Sequence, residues 1–162
     1  MIFKIICLIL LFILIVYVGY GILSYYKKRR QFYEDLINFV NYLNTEIAFL
    51  KTDLISLVEN NCDKYHREMN CALQNYLKIL KYGKGVVQNK ISILKDDENL
   101  ELDNFFNSLG KTNLQEQQVC IAHYKERFSQ QKLATEQEID KKGSVYFKLC
   151  IVLGLGVCIV LI

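Results

Sequence analysis

The chain contains no proline, and between Leu23 and Val145 its only glycines are Gly83, Gly85, Gly110 and Gly143. No helix is therefore stopped by a missing backbone N–H, and few positions invite a turn, so long helices with a few punctuated turns are expected. The Gly83-Lys84-Gly85 triplet lacks the glycine spacing and the Lys-Ser/Thr pair that cradle a phosphate. Cys-x-x-Cys is absent as well. The six cysteines stand at 7, 62, 71, 120, 150 and 158, three of them in the central region. An odd number there does not make a disulfide framework, and buried thiols are the simplest reading. Internal repeats and low-complexity linkers are also missing.

Two long apolar runs are present, one at each end. Ile5 to Leu23 is nineteen residues without a charge. At about 1.5 Å per residue such a run crosses a hydrocarbon core of roughly 30 Å. Lys27, Lys28, Arg29 and Arg30 follow it. The second run, Val145 to Ile162, is apolar apart from Lys148, which can snorkel to the headgroups, and Lys141 and Lys142 precede it. Positive charge beside a span marks the cytoplasmic face, so both flanks place the middle of the chain inside and both termini outside. No small-residue cleavage site follows Leu23, and the Lys-Lys-Arg-Arg block resists translocation, which argues against a cleaved signal peptide. The expected plan is a membrane anchor over 1–24, a cytoplasmic helical bundle over 25–144 and a second anchor over 145–162.

Charge divides along the same lines. All seventeen acidic residues, but only twelve of the twenty basic ones, lie between Gln31 and Asp140, so that stretch is acidic by five charges although the chain is net +3. A nucleic-acid binder keeps a basic face on its folded part, so no nucleic-acid partner is expected. The basic flanks suit anionic lipid.

Apolar spacing sets out the helices. Phe32, Leu36, Phe39, Val40, Leu43, Ile47 and Leu50 recur at steps of three and four, extending the first span into a long helix with one buried face. A short helix capped by Thr52 or Asp53 carries Leu54, Leu57 and Val58. A third runs from about Cys62 to Tyr82 with Tyr65, Met69, Leu73, Tyr76, Leu77 and Leu80 inward. After a turn and the Val86 to Leu94 stretch, Asp96, Asp97 and Glu98 suit a new helix N-terminus, where negative charge meets the positive end of the dipole. Leu100, Phe105, Phe106 and Leu109 supply that helix's apolar contacts, and Gly110 ends it. Thr112-x-x-Gln115 reads as a capping box opening a helix with Leu114, Ile121, Phe128 and Ala134 inward, which Gly143-Ser144 kinks or interrupts before the second span. The fold class is all-α, with about six helices.

Few residues offer chemistry. Cys62, His66 and Cys71, with Cys120 and His123, have spacings that put pairs on one helix face, but the arrangement is loose for zinc and no metal or cofactor is expected. A Cys/His nucleophile lacks a third orienting group, and Asp96 with Asp97 fits a helix start better than an acid/base pair.

Two stretches carry a family resemblance. Leu43-x-x-Glu46-Ile47-x-Phe49-x-x-Thr52-Asp53-Leu54 resembles the L-x-x-E-I-x-[YF]-x-x-[TS]-P-L segment of the stage III sporulation protein AB family, with Asp53 where that family usually has Pro. Leu109-Gly110-Lys111-Thr112-Asn113-Leu114-Gln115-Glu116-Gln117-Gln118 is similar to its L-G-x-[ST]-[DN]-x-x-x-Q element. The terminal run after Tyr146 is similar too, with Cys150 where a Gly is common, and length and two-anchor layout agree. The resemblance implies a non-enzymatic component of the channel-like complex of endospore-forming bacteria. It further implies a place in the mother-cell membrane around the forespore, and a bundle similar to the platform domain of type II secretion systems. That bundle would dock a cytoplasmic ATPase, the AA protein of the same operon, and contact other membrane proteins of the complex.

A charge division offers the docking surface. Five lysines and no acid lie between Met69 and Lys95, namely Lys78, Lys81, Lys84, Lys90 and Lys95. Five acids and no base follow: Asp96, Asp97, Glu98, Glu101 and Asp103. Opposite patches suit head-to-tail self-association or docking to a charged partner. The competing reading is a two-span sensor or adaptor whose bundle binds a metal or a different cytoplasmic partner.

Overall fold

The structure, a computed structural model, describes residues 2–49, 53–83, 85–111 and 113–161, with side chains except at 2–5, 47–49 and 161. Its elements are α1 (Ile2–Phe49), α2 (Leu54–Glu59), α3 (Arg67–Tyr82), α4 (Asp96–Ser108), α5 (Leu114–Glu138), a π-helical turn (Ile139–Gly143) and α6 (Ser144–Leu161). There is no strand among the described residues, so the all-α expectation holds. The last three elements follow one another without a break and make one helix, giving five helices where about six were expected. The chain divides into two compact units, one of Gln31–Lys132 and one of Met1–Arg30 with Leu133–Ile162.

In the first unit the expected stripe of α1 is the spine of the core. Phe32, Leu36, Phe39, Val40 and Leu43 are buried, whereas Ile47 and Leu50 fall outside the described side chains. Leu57 and Val58 of α2, Met69, Leu73 and Tyr76 of α3, Phe105 and Phe106 of α4, and Ile121 and Phe128 of α5 close around that stripe. Aromatic rings meet there edge to face, with Phe105 and Phe128 centred 5.4 Å apart at 90°. Three expected inward positions are turned out. Leu100, Leu114 and Ala134 are exposed, and Leu102 supplies the α4 contact instead, because the Asn and Asp side chains of α4 claim a neighbouring face.

The loop before α3 replaces the first turn expected from Cys62. Asn61 donates to the Leu57 carbonyl at 2.9 Å, satisfying a C-terminal acceptor of α2. Asp63 then reverses the chain at φ +72°. The Asn70 side chain accepts from the Tyr65 N–H at 3.2 Å and donates to its carbonyl at 2.6 Å, and Asp35 of α1 accepts the His66 N–H at 2.8 Å. These bonds hold 61–66 as a loop, so α3 begins only at Arg67. It ends at Gly83, whose φ of +62° and N–H bond to the Ile79 carbonyl close the helix.

In the second unit the two apolar helices run antiparallel. Cys158 lies against Leu8, Gly154 against Phe12, Gly19 against Cys150, and Gly143 against Leu23. A Cβ on Gly19 would stand 2.9 Å from the Cys150 Cβ, and one on Gly154 would stand 2.8 Å from the Phe12 ring. Glycine is what permits this approach, as in helix pairs packed within lipid. Gly143 does not interrupt the last helix; it sits buried in the π-helical turn against Leu23 and Tyr26. Ile9, Leu10, Leu14, Val152, Leu155 and Val160 keep their side chains outward.

Candidate functional site

The segment from Val86 to Lys90 is extended but belongs to no sheet. It is held by one face of α4, where Asn99, Asp103 and Asn107 recur every fourth residue. The Val87 N–H donates to Asn107 Oδ1 at 3.1 Å, the Asn89 N–H to Asp103 Oδ1 at 2.9 Å and the Ile91 N–H to Asn99 Oδ1 at 3.0 Å. Asn107 and Asn99 return bonds to the carbonyls of Val87 and Ile91 at 3.4 and 3.3 Å. The match is metrical. Four residues of extended chain cover about 13 Å, and eight residues of helix about 12 Å, so every second residue of one meets every fourth of the other.

This ladder redistributes the charged residues singled out in the sequence. Asp103 carries the Asn89 backbone and side-chain donors, and burial pushes its carboxyl above the ordinary range against the pull of those two bonds. Glu98 is buried and accepts the Lys95 N–H at 2.9 Å, closing the start of α4. Glu101 bonds Arg127 and Gln131 of α5. Of the five acids only Asp96 and Asp97 are exposed. Among the lysines, Lys78, Lys90 and Lys95 are exposed, Lys81 pairs with Glu59 at 2.7 Å, and Lys84 lies outside the described residues.

The sulfur and imidazole groups scatter. Cys62 is half-buried and burial raises its thiol pKa, with Asp63 and Glu59 adding to the rise. His66 Nδ1 sits 2.9 Å from Asp35 Oδ2. Cys120 meets Ser108 at 3.5 Å, and His123 is edge-on to Tyr124. Among the described residues no three His, Cys, Asp or Glu side chains gather as a metal site. Thr112 also lies outside the described residues; α5 opens at Leu114, and its cap oxygen is Asn113 Oδ1, which accepts the Glu116 N–H at 2.9 Å.

At the membrane flanks, Lys27, Lys28, Arg30, Lys141, Lys142 and Lys148 are exposed, but Arg29 is turned inward and bonds Glu138 at 2.7 Å. Sequence reasoning missed this pair, the Asp35 contact and the α4 ladder. The only sign of them was polar residues falling on or beside the apolar stripes.

Two helices among the described residues are long and apolar enough to cross a membrane, and each continues into the helical unit that bears the ladder, so the chain is an all-helical protein with two candidate membrane spans. Residues 4–162 match the family described as stage III sporulation protein AB, so the chain belongs to that family and its role lies in stage III of sporulation. No curated protein and no solved structure matches it.

Proposed function

We propose that this chain is a non-enzymatic assembly platform of the sporulation channel complex. It sits in the mother-cell membrane around the forespore, holds its 31–132 unit in the mother-cell cytoplasm, and docks the ATPase of the same operon. The observation that carries this reading is the family match over residues 4–162, which takes in both apolar helices and the unit between them. The exposed cations Lys27, Lys28 and Arg30 after the first apolar helix, and Lys141 and Lys142 before the second, support an inside location by the positive-inside rule. The non-enzymatic reading draws support from the carboxylates, since Asp35, Glu98, Glu101 and Asp103 are all spent on holding backbone or neighbouring side chains.

Docking falls to exposed residues of the charge division, with Lys78 and Lys90 among them on the basic side and Asp96 and Asp97 on the acidic side. The same opposed charges fit head-to-tail contact between copies. Lys78→Glu with Lys90→Glu leaves a folded chain, because exposed lysines contribute little to stability. In a spore-forming host carrying it in place of the normal protein, we expect arrest after engulfment. Sporulation at normal frequency from this double variant contradicts docking through these lysines.

A further inference from the structure

An extended chain turns the N–H and C=O of successive residues to opposite sides. The N–H groups of Val87, Asn89 and Ile91 and the carbonyls of Val87 and Ile91 are spent on α4, which leaves the N–H groups of Gln88 and Lys90 facing away. Both are exposed, and among the described residues no hydrogen-bond partner meets their backbone N–H groups. At Lys90 this edge borders a groove of about 350 Å³ whose far wall is α3, with Arg67, Glu68, Cys71 and Asn75 facing Lys90 and Ser92; Gln88 lies just beyond the groove's Asn89 end. Arg67, Cys71, Asn75 and Lys78 are spaced by four, four and three residues, so they form one outward stripe of α3.

We propose that this groove docks an acidic, extended peptide segment of another protein, which adds to the free edge as a short strand; the proposal rests on the platform reading and names the chemistry of one partner. Backbone pairing along 88 and 90 supplies the directional bonds, as in strand addition to a sheet edge. Charge selects the sign of the occupant. Arg67 and Lys90 line the groove against the single carboxylate of Glu68, and Lys78, outside the groove, lies one turn along the same stripe from Asn75. A lysine on an exposed edge guards against pairing with a second copy of the same edge, and it leaves a strand of opposite charge welcome. A second copy is also a poor occupant for another reason: the exposed acids Asp96 and Asp97 are held in α4, not in extended chain.

The test uses the full-length chain in detergent and a fluorescein-labelled peptide of alternating glutamate and valine. Gln88→Pro removes the N–H of the free edge. It leaves the ladder intact, because that N–H makes no bond and the preceding extended residue suits a proline. We expect the variant to unfold at the normal temperature and to bind the probe about tenfold more weakly, with Arg67→Glu giving a similar loss. Probe binding should slow amide exchange at Gln88 and Lys90 and shield Cys71, an exposed thiol in the groove, from alkylation. Should Gln88→Pro unfold the chain, a probe N-methylated at alternate residues must bind the unaltered chain about tenfold more weakly. No binding, equal binding of a lysine-valine peptide, or binding indifferent to both backbone changes overturns the proposal. ATPase capture is measured on the same preparation. Capture without probe binding sinks the groove alone, and probe binding without capture sinks the platform reading alone.

Discussion

Asp103 is pulled in two directions, since two Asn89 donors favour its charge while burial opposes it and wins. A carboxyl whose folded pKa is raised carries an ionisation cost that is fully present above that pKa and is gone below the unfolded value of about 3.9. Asp103→Asn keeps an oxygen for both donors and removes the cost. Its unfolding free energy should therefore exceed that of the unaltered chain at pH 7, with the difference shrinking as pH falls through the folded pKa. A difference that grows on acidification contradicts this account. Asp103→Ala leaves both Asn89 donors unmet and should lose about 1–3 kcal/mol in urea titrations. Asn113→Ala should lose about 1 kcal/mol, the usual value of a capping oxygen, and an unchanged midpoint would move the start of α5. None of this was legible in the sequence. Asn99, Asp103 and Asn107 at intervals of four look like any solvated helix face, and only the approach of a distant extended segment turns them into backbone acceptors.

At the scale of elements, the apolar stripes were readable because period 3.6 follows directly from burying one side of a helix. Phe32 to Leu43 on α1, Met69 to Tyr76 on α3, and Ile121 with Phe128 on α5 lie where the spacing puts them. Boundaries and rotations read less well. Side-chain bonds from Asp35, Asn61 and Asn70 hold residues 61–66 out of helix, and long-range partners such as Asp35 leave no local signature. Gly19, Gly143 and Gly154 were likewise mute until seen against Cys150, Leu23 and Phe12. Gly154→Leu, which drives a large side chain into the Phe12 ring, should weaken that helix pair by about 1–3 kcal/mol. Cross-linking between Leu8→Cys and the native Cys158, which sits 3.9 Å from the Leu8 carbonyl, reports it. The bond should form readily in the otherwise unaltered chain and poorly with Gly154→Leu; equal yields contradict close packing at Gly154.

At the scale of the whole molecule, the two long apolar helices were the most readable feature, because a long uncharged run and its basic flank are local properties of the sequence. What such runs leave open is which residues of the intervening unit meet a partner, since a docking face differs from an ordinary solvated surface only in what it contacts. The proposed inside location of the 31–132 unit has its own test: a cysteine introduced at Lys90 should resist an impermeant thiol reagent applied to intact cells and react once the membrane is opened. The central claim is docking of the ATPase. Its most direct test is capture of that ATPase by the full-length chain in detergent, across a range of salt. The account predicts capture that weakens as salt rises, because charge steering is screened over about 8–10 Å at ordinary ionic strength, and capture that is lost with Lys78→Glu and Lys90→Glu. Absence of capture by the unaltered, folded chain would contradict it.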